Sequence, residues 1–310
     1  MKPIIDAFTD SEQRLHGRES FRVFHGRGGC YPDCNWCNID FFAPAVLITL
    51  YREPPAGWEA QLRQFIAKLM ARLPIEKVML QRRYLPRAPT EVSIETARSP
   101  EKIYARRGEL DFSLSFAQQN CGFFLDIEPA RRWLEQHCLS KKILNMFAYT
   151  CTFSVVAMRA GADAVVNIDL SDRSLKTGQK NHRINAVDAD RVRFLPHDIF
   201  KSWGKLKRLG PYDIVVIDPP SYQKGSFVAK RDYPKVLRRM DQFLTEDGVF
   251  LACLNAPEVN VSEFEEIINL AVNGCTLSER LSASPDFPDA EESALKMLVY
   301  KRINRGALMK

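Results

Sequence analysis

The chain has 310 residues, 45% of them hydrophobic, 10% aromatic and 26% charged, a globular profile that excludes disorder, collagen and coiled coil. Mean hydropathy is −0.25, and no run of about 18 uncharged apolar residues offers a membrane span. The opening stretch, Met1 to Gln13, turns polar and acidic too early for a signal peptide, so a cytosolic protein is expected. The net charge of +6, from 44 Lys and Arg against 38 Asp and Glu, argues weakly for a polyanionic partner, but its distribution says more. Residues 63–107 hold 11 basic and 4 acidic side chains, a local +7, and residues 255–299 hold 2 basic and 9 acidic ones, a local −7. In a reducing compartment the 8 cysteines read as buried hydrophobes or reactive groups, not disulfides.

In chain order, Ala45 to Tyr51 is a β-rich apolar run broken by Pro54-Pro55. Trp58 to Leu73 follows with helical spacing, placing Leu62, Phe65, Ile66, Leu69 and Met70 on one face. Lys77 to Gln81 reads as a second strand, and Ile103 to Arg107 with Leu110 to Phe116 as a hairpin about Gly108. Together they predict a small α+β domain over residues 1–110, carrying most of the basic excess. From about residue 130 strands alternate with helices. Strands are expected at 142–147, 164–169, 192–195, 212–218, 248–254 and 296–300, and helices starting at 154, then at 171–185, 233–244 and 261–272. Several of these strands lack polar alternation, which implies a parallel sheet covered on both faces. Residues 111–310 are therefore predicted to form a doubly wound, Rossmann-like α/β domain.

Ligands of such sheets bind beyond the carboxyl ends of the strands. The first strand runs into Asn145-Met-Phe147-Ala-Tyr149-Thr-Cys151-Thr, a loop without the G-x-G-x-x-G bend of a dinucleotide site. The second ends in Asp169, the third in His197-Asp198 and the fourth in Asp218-Pro219-Pro220-Ser221-Tyr222. Any one acid would serve equally as a helix cap. Polar side chains at four successive strand ends describe a crevice for a nucleoside.

Five stretches make the pattern specific: Gln119-Asn-Cys-Gly-Phe-Phe124-Leu-Asp126, Asn145 to Thr150, Val166-Asn-Ile-Asp169-Leu-Ser171, His197-Asp198-Ile199-Phe, and Asp218 to Tyr222. In order and spacing the chain resembles the class I S-adenosylmethionine-dependent methyltransferases over about residues 95–302. It is most similar to the bacterial large-subunit ribosomal RNA enzymes that modify cytosine carbon-5 or a guanine ring nitrogen. Before residue 95 the likeness is loose. The resemblance implies S-adenosylmethionine as cofactor. Asn145, Phe147 and Tyr149 would line its methionine and sulfonium end, and Asp169 would take its ribose hydroxyls, with Ser171 capping the next helix nearby. Asp198 would face the adenine amine, Ile199 would pack on the ring, and Phe124 and Asp126 would close over the molecule. Arg131 matches the family's basic position, whereas Glu128 stands where an arginine is common.

In that family the methyl group is transferred at the Asp218, Pro219, Pro220 and Tyr222 turn. The prolines stiffen it, Tyr222 would stack on an extruded base, and Asp218 would accept a hydrogen bond from the base. Carbon-5 methylation needs a cysteine that attacks the ring. The position after the fifth strand that carries it in the cytosine enzymes is Asn255 here, and Cys253, inside the strand, reads as a core residue. Nitrogen methylation is therefore expected. The alternatives are a cofactor-binding RNA-binding protein without turnover, and a methyltransferase for a protein or small molecule.

Arg82, Arg83, Arg87, Arg106 and Arg107, interleaved with Tyr84 and Tyr104, are the expected RNA-binding residues; the bland alternative is a solvated charged face. The expected partner is RNA, ribosomal RNA in particular, with no membrane, for a monomer or homodimer. Cys30, Cys34 and Cys37 match the C-x₃-C-x₂-C spacing of radical S-adenosylmethionine enzymes, but no long β/α barrel follows. With His25 they would make a Cys₃His zinc set. Ordinary loop and core thiols are expected, with no metal. His16, His137 and His182 receive no role.

Overall fold

The structure, a computed structural model, describes residues 1–220, 227–289 and 295–303, and the backbone of 222–223. Contacts divide the chain into two compact units, Met1–Leu125 with Ser284–Glu291, and Asp126–Ala283 with Glu292–Lys310. The sequence reading drew its boundary at 110/111.

The second unit is built on seven strands: β1 (Lys142–Met146), β2 (Ala164–Asp169), β3 (Val192–Pro196), β4 (Tyr212–Ile217), β5 (Leu244–Leu254), β6 (Cys275–Arg280) and β7 (Lys296–Arg302). They lie in the order β3-β2-β1-β4-β5-β7-β6. The first five are parallel and β7 runs antiparallel between β5 and β6. Successive side chains of a strand point to opposite faces. Leu144, Met146, Val215 and Ile217 accordingly pack on one face, with Leu206, Val236 and Phe264. Ile143, Val165, Ile214 and Val216 pack on the other, with Trp133, Leu134 and Phe153. Each buried aliphatic side chain contributes about 1.5–3 kcal/mol, which is why these strands read as unbroken apolar runs. The Rossmann-like α/β sheet is as expected, with one addition. β6 is an edge strand whose Thr276, Ser278, Glu279 and Arg280 are exposed, so it carries no hydrophobic signal. The strand order reverses between β1 and β4, and the crevice at that switch point is where such sheets bind ligands.

The first unit holds a five-stranded sheet in chain order, Phe21–His25, Cys37–Phe42, Ala45–Leu50, Lys77–Arg82 and Thr90–Glu95. Only the third and fourth strands are parallel, joined by the helix Trp58–Met70 with Trp58, Leu62, Ile66 and Leu69 buried. The hairpin Tyr104–Arg107/Leu110–Ser113 turns at Gly108, whose φ of +54° suits glycine. Cys37–Phe42 escapes the sequence reading because its six buried positions include Asn38 and Asp40. Asp40 is tolerated inside because Arg22, opposite it in the ladder, pairs with it. No helix among the described residues is long and apolar enough to cross a membrane.

Candidate active site

The loop leaving β1 takes an unusual path. Phe147, Tyr149 and Cys151 have φ of +56°, +46° and +59°, left-handed conformations that cost a non-glycine residue about 1–2 kcal/mol each. Surrounding bonds hold them there. Ala148 N–H donates to the Ile168 carbonyl (3.1 Å), Tyr149 N–H to Asp169 Oδ2 (2.8 Å) and Asn181 Nδ2 to the Thr150 carbonyl (3.0 Å). Phe147 meets Phe227 edge to face at 5.2 Å. Gly178, in the helix Asp172–Ile184, makes room for the loop: a Cβ there would stand 2.4 Å from Cys151 Sγ.

Asp169 ends β2 with both carboxylate oxygens fixed by backbone, Oδ2 by Tyr149 N–H and Oδ1 by Ser171 N–H, each at 2.8 Å. Burial raises its pKa, and the two N–H bonds oppose that rise. Each oxygen keeps lone pairs beyond its backbone bond. That pair of acceptors suits two vicinal hydroxyls, the chemistry a ribose presents. Ser171 caps the following helix, its Oγ accepting from Ser174 N–H at 3.1 Å. Asp198 accepts from Phe200 N–H at 2.9 Å and so caps a single helical turn, while Ile199 beside it is buried in the core.

Asp218 follows β4, half-buried, with Pro219 buried and Pro220 exposed. Its carboxyl is pushed up to about 7, first by burial and then by the charge of Asp126, against the pull of Arg131. Asp126 and Asp218 thus come within electrostatic reach of each other. Arg131 is 1% exposed; its Nε donates to Thr152 Oγ1 at 3.2 Å and its Nη1 pairs with Glu128 at 3.4 Å. Glu128, where the family often has arginine, is thus a partner for the buried guanidinium. The Tyr222 side chain lies outside the described residues.

Several residues that shape this site carried no signal as single positions. The Tyr233 hydroxyl is shared between the carbonyls of Ile217 (3.2 Å) and Cys253 (3.1 Å), tying the ends of β4 and β5. Buried Lys296 donates to the Ala256 carbonyl at 2.8 Å and holds the turn after β5. Beneath the β1 loop, Asn145 Nδ2 donates to Asn167 Oδ1 (2.9 Å), Asn167 Nδ2 donates to Ser154 Oγ (3.0 Å), and Ser154 Oγ meets His182 Nε2 (2.8 Å). Asn145 is therefore engaged inside the layer between sheet and helices, and His182, given no role from sequence, closes the chain. A detectable signal existed: Asn145 and Asn167 are the polar fourth residues of two apolar strands and lie side by side in register.

The remaining expected residues lie in the first unit. Phe124 is 41% exposed. Arg82 is held between Glu59 and Glu91, each at 2.7 Å, and Arg106 pairs with Asp111 through two bonds of 2.8 and 2.5 Å. Arg83 bonds to Gln81, Gln119 and Asn120, Arg87 is exposed with a φ of +66°, and Arg107 is half-buried at the hairpin. Cys30 is exposed, Cys34 and Cys37 are buried, and His25 Nδ1 meets Arg22 at 2.6 Å. No three His, Cys, Asp or Glu side chains among the described residues are grouped to hold a metal ion.

A family model described as S-adenosylmethionine-dependent methyltransferase matches residues 21–301. The ribosomal RNA large subunit methyltransferase I of Aeromonas salmonicida is 30% identical over 175 residues, 54% of this chain and 44% of that protein. The ribosomal RNA large subunit methyltransferase of Deinococcus radiodurans is 26% identical over 266 residues, 82% of this chain and 64% of that protein. The chain thus spans about half to two-thirds of the length of these relatives. Two solved structures, one described as an S-adenosylmethionine-dependent methyltransferase from Streptococcus mutans and one as a methyltransferase complexed with S-adenosylhomocysteine, share the fold. Each aligns with a TM-score of 0.82 and 24% identity over 97% of this chain and 81% of the other. The matched family model spans nine-tenths of the sequence, both units included, and the chain belongs to the S-adenosylmethionine-dependent methyltransferases.

Proposed function

We propose that this chain methylates a ring nitrogen of a base in structured RNA, ribosomal RNA first of all, in the cytoplasm. The RNA assignment follows the names of the relatives, which are ribosomal RNA methyltransferases. The observation that carries the nitrogen assignment is Cys253. It is fully buried, and its thiol is pushed well up by burial, then by Asp218 and Asp126, the opposite of the lowered pKa a nucleophilic thiol needs. Bound S-adenosylmethionine supplies a methyl group on a sulfonium, electrophilic without further activation.

The chain's own residues then bind and align. Asp169 accepts the ribose hydroxyls, Ile199 and Asp198 take the adenine, and Phe147 and Tyr149 wall the methionine end. Asn145 supports that wall from below through Asn167. Asp126 and Phe124 belong to the segment that closes the site. Asp218, stiffened by Pro219 and Pro220, accepts the proton that a ring nitrogen or its amine gives up, with a carboxyl poised near neutrality for that task. Tyr222 serves as stacking platform for the base, and the first unit serves as RNA-binding accessory domain.

Tritium transfer from labelled S-adenosylmethionine to deproteinised ribosomal RNA tests this reading. The expected label is sensitive to ribonuclease, lost in Asp218→Ala, and recovered as an N-methylated nucleoside. Label recovered as 5-methylcytidine would overturn the nitrogen assignment, and label sensitive only to protease would overturn the RNA assignment.

A further inference from the structure

The first unit holds a cluster that the cofactor site does not use. Its strands Phe21–His25, Ala45–Leu50 and Lys77–Arg82 run in the same direction. Their carboxyl ends bring Arg27, Tyr51 with Arg52, and Arg83 to one edge of the sheet. Arg27 lies with its guanidinium carbon 4.3 Å from the Tyr51 ring centroid, and Arg83 lies at 5.5 Å from the same ring. The edge is firmly built. Buried Asn38 accepts from Arg27 N–H at 3.2 Å and donates to Tyr51 Oη at 3.4 Å. Arg83 N–H donates to the Leu50 carbonyl at 2.8 Å, and Tyr51 N–H to the Trp36 carbonyl at 2.8 Å. Arg52 bonds to the side chain of Asn35.

The turn that presents Arg27 tolerates only glycine on either side of it. A Cβ at Gly26 would stand 2.0 Å from the Cys34 carbonyl oxygen, and one at Gly28 would stand 1.8 Å from the Pro288 carbonyl oxygen. The cysteine-bearing loop therefore acts as the bed of this turn. What sets the cluster apart is its charge. Arg14, Arg22, Arg72, Arg82 and Arg106 of the same unit are each paired with a carboxylate. Arg27, Arg52 and Arg83 bond only to neutral groups, and none forms an ion pair among the described residues. Arg27 and Arg52 are exposed, and Tyr51 and Arg83 are half-buried.

We infer that Arg27, Arg52 and Arg83, ordered around Tyr51, form a phosphodiester-binding subsite for single-stranded RNA. Guanidinium groups bind phosphate oxygens through paired N–H bonds, and an aromatic ring gives any base a stacking surface. An unpaired cation stacked on a ring, with its backbone and that ring both fixed by a buried amide, needs less reordering on binding. The inference rests on the proposed RNA substrate and deepens it: the contacts fall to Arg27, Arg52 and Arg83, and not to the ion-paired Arg82 and Arg106.

The test is the salt dependence of binding to a short, fluorescein-labelled single-stranded RNA, read by anisotropy. Each phosphate contact to a single strand contributes about 0.7 to the slope of log K against log salt, so R27Q/R83Q should lower that slope by about 1.4. Arg27→Lys should keep it, and Tyr51→Leu should weaken binding at an unchanged slope. The R82Q/R106Q pair should match wild type, and calorimetric binding of S-adenosylmethionine should be the same in every variant, which shows that they are folded. An unchanged slope in R27Q/R83Q, with wild-type RNA binding intact, would overturn the subsite and leave the RNA reading standing. Failure of the wild-type protein to bind RNA at all would overturn both.

Discussion

The charged residues that sequence singles out are held in different ways in the two units. In the second, Asp169 has both oxygens held by backbone N–H groups, which orient the carboxylate without cancelling it. Asp218 is held by burial and by the neighbouring charges of Asp126 and Arg131. In the first, two of the five arginines that sequence marks as basic surface are consumed by carboxylates: Arg82 by two glutamates, Arg106 by Asp111. A local excess of basic residues therefore overstates the charge a partner would meet. What counts is how each charge is held. Those fixed by backbone, amide or ring remain available, and those fixed by an opposite charge do not.

Breaking the backbone-held acid should have the largest effect. Asp169→Ala removes the acceptor for Tyr149 and Ser171 N–H and, on the proposed reading, for the two ribose hydroxyls. Hydrogen bonds to a charged group contribute about 1.5–3 kcal/mol each, so affinity for S-adenosylmethionine should fall about 100-fold by calorimetry. A change under about threefold would remove Asp169 from the cofactor site. The buried amide chain comes next. Asn167→Ala leaves buried Asn145 Nδ2 without its acceptor and takes one of its two partners from Ser154 Oγ, at about 1–3 kcal/mol for an unsatisfied group. Urea unfolding should show a loss of about 2–3 kcal/mol, and a neutral result would mean that the network does not hold the β1 loop.

Gly178→Ala forces a methyl group against Cys151 and should destabilise by about 1–3 kcal/mol. Pairing it with Cys151→Ala should recover part of that loss, because the nearest clash is with Sγ. Additive losses would show that the loop yields instead.

The raised carboxyl of Asp218 makes both stability and activity depend on pH. Its pKa rises from 3.8 unfolded to about 7 folded, so the native state binds the proton more tightly. The stabilisation is complete below pH 4 and is lost as pH rises through 7. Methyl transfer runs the other way, rising through pH 7 as the carboxylate becomes available as base. Asp218→Asn should therefore be inactive and gain stability relative to wild type progressively from pH 4 to 7, levelling off above pH 7. A flat stability difference from pH 5 to 8 would contradict the assigned shift. The smallest effect belongs to the ion-paired set: Arg106→Gln should change stability by less than about 1 kcal/mol and leave RNA binding intact. A large loss of RNA affinity in that variant would break the division between paired and available arginines.

Legibility followed burial. The parallel strands were readable because both faces are covered, so β1, β2 and β4 are continuous apolar runs. β6, at the edge, and Cys37–Phe42, whose polar residues are neutralised by cross-strand partners, were not. The strand-end acids were readable because an α/β sheet dictates where ligands bind. The residues that hold them were not: a tyrosine such as Tyr233 or a lysine such as Lys296 inside an element looks like surface until topology supplies a carbonyl. One pairing was within reach. A hairpin about Gly108 sets Arg106 opposite Asp111, which by itself withdraws that arginine from the basic surface.

Methylation of an RNA base at nitrogen would show in mass spectrometry of ribosomal RNA nucleosides from cells with and without this gene. Loss of one N-methylated nucleoside is expected, restored by the wild-type gene and not by Asp218→Ala. An unchanged nucleoside profile, or loss of 5-methylcytidine in its place, would contradict it.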